Sequence, residues 1–311
     1  MSHPYKTRAG GATVTVFVPY DCANHCPFCI NKQEYADCSG FSLEAILRSI
    51  RLMDSITPAC DFVFTGGEPL ADLNALQQML DAIPPTHKIY INTTFPVQPH
   101  CPAEEMLAFT QRNKDKITCM NISRHLVKYV EESPDEIIAR IACPTRINCV
   151  LYRNYPAARL VDYVERFRPY GIPIQFRYDY TETTPENLYE EASDPILQDL
   201  KKYFTYKGLD GCRMRNGFHF DYKGLHMTYH KTLPYSTIVE TGDDGVTYDI
   251  LYDILIKQTG AIHSDWDGTP LDIEAYRNVV FEPYDLKWIQ RSRTGLSKRL
   301  PFLKTACAIF H

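Results

Sequence analysis

The run Asp21-Cys22-Ala23-Asn24-His25-Cys26-Pro27-Phe28-Cys29 sets three thiols in a C-x3-C-x2-C spacing. A thiolate is a soft anionic ligand, so three of them close together point to a metal. A structural zinc site closes with four ligands, and an ordinary iron-sulfur cluster also takes four cysteines. Two readings follow: a fourth ligand borrowed from Cys38 or His25, or a metal centre with one open position. A second motif, Thr65-Gly66-Gly67-Glu68-Pro69-Leu70, carries paired glycines whose missing Cβ atoms let a ligand's polar group approach the backbone. The same residues also suit a tight strand-to-helix turn with Pro69 at the helix start.

Each motif directly follows a short apolar, β-branched run. Six such runs, 12–18, 60–64, 88–92, 117–122, 146–151 and 173–177, alternate with amphipathic stretches over about the first 200 residues. The spacing of Leu43, Ile46, Leu47 and Ile50 predicts a helix over 43–53 capped by Ser42, and a second is predicted over 73–80. Six βα units are too few for a closed eight-unit barrel and suit a partial (β/α)6 TIM-type barrel, with chemistry in the loops after the strands. Beyond Gly208, hairpin signals take over: 217–222 and 225–230 flank Lys223-Gly224, and 249–257 and 261–265 flank Thr259-Gly260. The expectation is an α/β chain with a partial barrel over 1–207, then a small C-terminal β-rich appendage and tail over 208–311.

Composition narrows the classes. The 311 residues are 44% hydrophobic and 23% charged, enough for one large core or two unequal domains. No apolar run approaches the ~18 residues of a membrane helix, and the first residues lack a secretory signal, so a cytoplasmic protein is expected. Eleven cysteines, an odd number with eight scattered singly, argue against a disulfide framework and for reduced thiols. The formal net charge of -5 is unevenly spread: from Leu286 onward there are six basic residues and no acid, leaving 27 basic against 38 acidic elsewhere. An acidic body makes nucleic acid an unsuitable partner, and the basic tail reads as a solvated terminus.

In order and position on consecutive strand ends, the two motifs resemble the radical S-adenosylmethionine (radical SAM) superfamily over roughly residues 13–180. The resemblance implies that Cys22, Cys26 and Cys29 hold three irons of a 4Fe-4S cluster, the fourth iron taking the amino and carboxylate groups of SAM. Reductive cleavage of SAM then yields methionine and a 5'-deoxyadenosyl radical that removes hydrogen from a substrate in the barrel mouth. It implies an electron donor of the reductase or flavodoxin type. By the same resemblance Phe28 backs the adenine, and Gly66, Gly67, Glu68 and Pro69 form the GGEP motif that receives the SAM amino group. Asn92 and Thr93 match a polar motif after the third strand, Ser123 is the candidate for the ribose, and Arg146 or Asn148 for the SAM carboxylate. On the sixth strand, period-two alternation puts Gln175, Arg177 and Asp179 on one face as candidates for substrate contact.

Other constellations read as structural. His226 and His230, four apart on a strand, stand about 13 Å apart and cannot share one ion, so with His219 they read as hairpin side chains. Asp265-Trp266-Asp267-Gly268 reads as a turn. The stretch from Cys212 to Gly224 resembles the hairpin that opens SPASM or twitch extensions, but only Cys212 and Cys307 are there for auxiliary clusters, so one cluster is expected. The expected substrate is a polar small molecule or nucleotide, since no leader-binding or cobalamin module precedes the first strand. A peptide maturase and a glycyl-radical activase are the enzymatic alternatives. A non-catalytic metal scaffold is the alternative of another class.

Overall fold

The fold comes from a computed structural model, described over residues 3–8, 11–18, 22, 24, 26–29, 40–96, 102–129, 132–212 and 214–282. Strand β1 (Tyr5–Arg8) precedes β2 (Thr13–Val18), all six of whose residues are buried. A β-branched run with both faces out of water is what a central parallel strand requires. The other five runs form β3 (Asp61–Gly66), β4 (Lys88–Thr93), β5 (Cys119–Ser123), β6 (Thr145–Leu151) and β7 (Ile174–Tyr178). These pair in parallel in chain order.

Parallel neighbours need crossovers, and helices α1 (Leu43–Ile56), α2 (Leu73–Asp81), α3 (Ala103–Arg112), α4 (Asp135–Ile138) and α5 (Leu160–Phe167) supply them. Helix α1 starts where the Ser42 hydroxyl accepts the Ala45 N–H, and it buries the stripe Ile46, Ser49, Ile50 and Met53. Asp72 caps α2 in the same way, accepting from Asn74 and Ala75.

The C-terminal third contributes strands to both sheets. After α6 (Pro195–Tyr203) come β8 (Thr205–Gly211), β9 (Arg215–Tyr222) and β10 (Leu225–Thr232). The hairpin at Lys223-Gly224 forms as expected, both turn residues having positive φ. Strand β10, however, also lies parallel to β7 and so extends the large sheet. Strands β11 (Thr237–Thr241), β12 (Thr247–Leu251), β13 (Asp253–Ile256) and β14 (Ile262–His263) follow. Of these, β13 joins the opposite edge of the large sheet, parallel to β2, with β14 as its hairpin partner. Helix α7 (Ile273–Tyr276) and β15 (Val280–Glu282) complete the described chain.

The result is an eleven-stranded mixed sheet, β14-β13-β2-β3-β4-β5-β6-β7-β10-β9-β8, and a four-stranded one, β11-β12-β1-β15. The large sheet runs across residue 207. It is not closed, since no ladder among the described residues joins β14 to β8. It is nonetheless strongly curled. Strands β13 and β9 stand eight places apart in the order, about 40 Å if the sheet were flat at ~4.8 Å per strand. Yet the Arg215 guanidinium donates to Asp253 Oδ1 at 3.3 Å across the gap. No helix among the described residues is long and apolar enough to cross a membrane. Cys38, His25, Cys101, Cys307 and the basic tail lie outside the described residues.

One buried cation fixes the C-terminal ends of the central strands. Arg124, wholly inaccessible, donates to the carbonyls of Thr94 (2.7 Å) and Ser123 (2.8 Å) and to Ser133 Oγ (2.8 Å). Its removal strands buried carbonyl acceptors, each costing about 1–3 kcal/mol. We expect Arg124→Met to lose about 3 kcal/mol or more in denaturant unfolding. Arg124→Lys should recover only part, because an ammonium lacks the planar fork.

Candidate functional site

The C-terminal ends of β2 to β7, with β10 and β13, surround one cavity of about 320 Å³. The three motif cysteines line it from the loop after β2, each half-buried and outside any disulfide. A turn closed by the Cys29 N–H on the Cys26 carbonyl (3.2 Å) orders part of that loop, and Asn24 Nδ2 donates to Cys22 Sγ at 3.4 Å. Burial pushes the Cys22 thiol up, the Glu68 and Cys29 charges add to this, and the Asn24 hydrogen bonds oppose it. A metal held by Cys22 would therefore have to displace its proton. Three thiols of one loop lining one cavity suit a metal cluster by donor chemistry. Among the described residues, no group of three His, Cys, Asp or Glu is arranged to hold a metal ion.

The glycine turn lies beside that loop because it is stitched to the end of β2. Gly66 has φ +115°, and a Cβ there would sit 2.3 Å from the Val18 carbonyl oxygen. The Gly67 N–H donates to the same oxygen at 2.7 Å. Glu68 is 2% exposed and its carboxylate is fully engaged. Oε1 accepts the Leu70 N–H (3.0 Å) and the Thr93 hydroxyl, while Oε2 accepts the Thr94 N–H (2.9 Å) and hydroxyl (2.8 Å). Burial pushes its carboxyl up, and these four donors pull it back only in part. Glu68 thus ties the end of β3 to the end of β4, and Thr93 is its partner.

The remaining sequence candidates separate. Phe28, Gly66, Gly67, Glu68, Asn92, Thr93, Ser123, Asn148, Gln175, Arg177 and Asp179 all line the cavity with the cysteines. Pro69 and Arg146 do not. Pro69 is buried in the first position of a short 3-10 turn, Pro69–Ala71. Arg146 is on the inward face of β6 but at the strand's start, where its Nε and Nη2 donate to Asn121 Oδ1 (3.1 and 2.7 Å). Asn121 in turn donates to Asn92 Oδ1 at 2.7 Å. Asp179 lines the cavity yet also caps a short turn, accepting the Thr181 N–H and hydroxyl.

Several lining residues escaped the sequence reading. Phe28 is held in a collar of His125 (4.9 Å), Tyr129 (5.4 Å) and Tyr152 (5.5 Å), of which His125 lines the cavity too. His125 Nδ1 accepts the Val150 N–H at 3.1 Å, so the proton is assigned to Nε2. Arg215, His230, Thr232, Asp253 and Trp266 come from the C-terminal third. His230 departs from the expected hairpin side chain: β10 buries it, at 4% exposure, opposite Arg177. The polar alternation His226, Thr228, His230, Thr232 was the available signal. His226, by contrast, is exposed and meets His219 at 3.3 Å.

Burial, with the Arg124 charge adding, lowers His125 to about 3. Between that value and the unfolded one of about 6.5, only the unfolded chain takes up the proton. Stability is then complete above about pH 6.5 and falls with acidification by about 1.4 kcal/mol per pH unit. Unfolding midpoints at about pH 7.5 and about pH 5.5 should differ accordingly, and the slope should weaken in His125→Gln.

Among curated proteins none matches the chain. Among solved structures it is similar to Streptococcus suis SuiB bound to S-adenosylmethionine, at 15% identity and TM-score 0.43, covering 63% of this chain and 44% of that one. SuiB bound to precursor peptide SuiA gives 16% identity, TM-score 0.46, and 62% and 46% coverage. The structure of anSMEcpe with bound AdoMet and Cp18Cys peptide gives 18% identity, TM-score 0.42, and 62% and 57% coverage. The chain thus spans about half the length of these proteins. Residues 9–110, the stretch that holds the three cysteines and the Gly66–Glu68 turn, match the family described as a 4Fe-4S single cluster domain.

Proposed function

We propose that the protein is a radical SAM enzyme that removes hydrogen from a polar small molecule or nucleotide. The observation that carries this reading is the sharing of one cavity by the three motif thiols, the glycine turn and the polar ends of six parallel strands. A 4Fe-4S cluster on Cys22, Cys26 and Cys29, when bound with SAM and reduced, supplies the 5'-deoxyadenosyl radical. The chain's own part is positional. Gly66 and Gly67 offer backbone to the SAM amino group, Phe28 in its aromatic collar backs the adenine, and Ser123 and Asn148 face the ribose and carboxylate. Glu68 and Thr93 hold the turn rather than the ligand. The curled parallel strands correspond in this reading to a partial (β/α)6 barrel whose C-terminal strands cover the mouth and exclude water. A flavodoxin-type donor and the reducing cytoplasm complete it, in keeping with described cysteines that form no disulfide with one another.

Anaerobic reconstitution tests the proposal. The expected result is about four irons per chain, a low-temperature EPR signal that changes on adding SAM, and formation of 5'-deoxyadenosine under dithionite. A colourless protein with one zinc overturns it, and a cluster that never cleaves SAM leaves only a scaffold.

A further inference from the structure

The cavity is also lined by β6, β7 and β10. Strand register sets Asn148, Gln175 and Thr228 in one row across β6, β7 and β10, and Val150, Arg177 and His230 in the row nearer the mouth. In the first row Asn148, Gln175 and Thr228 are 9%, 3% and 6% exposed. Each keeps one buried side-chain oxygen without a hydrogen-bond partner among the described residues. Such atoms are costly to leave unmet, and two of the three residues line the cavity. Above them stands Arg177. Burial and the neighbouring Arg215 and Arg146 charges lower it to about 10, so it remains a cation at neutral pH. Asp253, the acid whose charge acts on it, is already bonded to Arg215 across the sheet's gap. Asp179 is occupied by Thr181.

A half-buried cation whose neighbouring acid is already bonded elsewhere, beside unmet polar oxygens, describes half of a binding site. We propose that Arg177 binds the anionic group, carboxylate or phosphate, of the substrate, with Gln175 receiving a hydroxyl or amino group next to it. The planar fork of arginine matches both anions in a bidentate way. Gly217 contributes by omission: a Cβ there would stand 2.7 Å from His230 Cε1, so the glycine makes room for the ring beside Arg177. This rests on the reading above in taking the anion as substrate rather than as part of SAM.

The test uses the reconstituted holoenzyme, titrated separately with inorganic phosphate and with succinate at constant ionic strength and followed by tryptophan fluorescence, since Trp266 lines the cavity. SAM affinity is measured in parallel. At least one anion should bind the wild type, which of the two identifying the group. Arg177→Gln should weaken that binding about 10- to 100-fold, while SAM affinity stays within about twofold. Arg177→Lys, which keeps the charge in case the first variant does not fold, should lose about three- to tenfold. Binding of neither anion, or binding unaffected by both variants, overturns the proposal. So does an equal loss of SAM affinity, which would assign Arg177 to the SAM carboxylate. A wild type that binds the anion but never cleaves SAM instead fails the radical reading, so the two failures are distinct.

Discussion

Cys26→Ala is expected to remove the iron, the SAM-sensitive EPR signal and 5'-deoxyadenosine formation together, while leaving the chain folded. The loss should be complete because the loop has no spare thiol among the described residues of the cavity: Cys22, Cys26 and Cys29 are the only cysteines lining it. The fold should survive because the turn in this loop is closed by the Cys26 backbone carbonyl, which alanine keeps. A half-buried thiol contributes little packing, so the apo variant should unfold within about 1 kcal/mol of the apo wild type. Cys119→Ala is the control, since that thiol lies outside the cavity and its loss should leave iron content unchanged. Iron retained in Cys26→Ala at wild-type level would assign the metal elsewhere.

The second large effect belongs to Glu68. Glu68→Ala leaves two backbone N–H groups and two hydroxyls without their acceptor in a site sealed from water, an expected loss of about 3–5 kcal/mol. Glu68→Gln is the sharper variant. Each carboxylate oxygen accepts one backbone N–H, from Leu70 or from Thr94, so the amide NH2 faces a donor whichever way it is turned. It should still lose about 1–3 kcal/mol. Both variants should bind iron normally and bind SAM more weakly, because the cysteines remain while the Gly66–Gly67 turn loosens. Equal stability of Glu68→Gln and wild type in urea, at unchanged m-value, would refute the clamp.

The central strands were legible because a parallel strand buried on both faces must be a short β-branched run, as in β2. The cysteine and glycine motifs were legible because their chemistry is local. Glu68 was not, since its partners Thr93 and Thr94 belong to another strand and nothing in the motif reveals that its oxygens are already taken. Arg146 and Arg177 illustrate a different limit. Alternation along a strand distinguishes inward from outward but not deep from shallow, so it put both arginines inside without saying that Asn121 would engage the first. His230 and Arg215 were missed because a hairpin read alone has an exposed face, whereas pairing with β7 makes β10 part of the curled sheet whose inner face lines the cavity. The four-stranded sheet was beyond reach of local patterns: β1 pairs with β12 and β15 from the far end of the described chain.

The place of β2 between β3 and β13 has a consequence in time. At ~5–20 residues per second, about 10–40 s of synthesis separate Gly66 from Asp253. Throughout that interval β2 can have its inner neighbour but not its outer one, and the strand that carries the cysteine loop is a sheet edge. The loop is thus most open while the chain is still attached to the ribosome, and Asp253 and Trp266, which line the same cavity, arrive last. Completion of the cavity is thereby ordered by translation itself, the cysteine segment being made first and its cover afterwards.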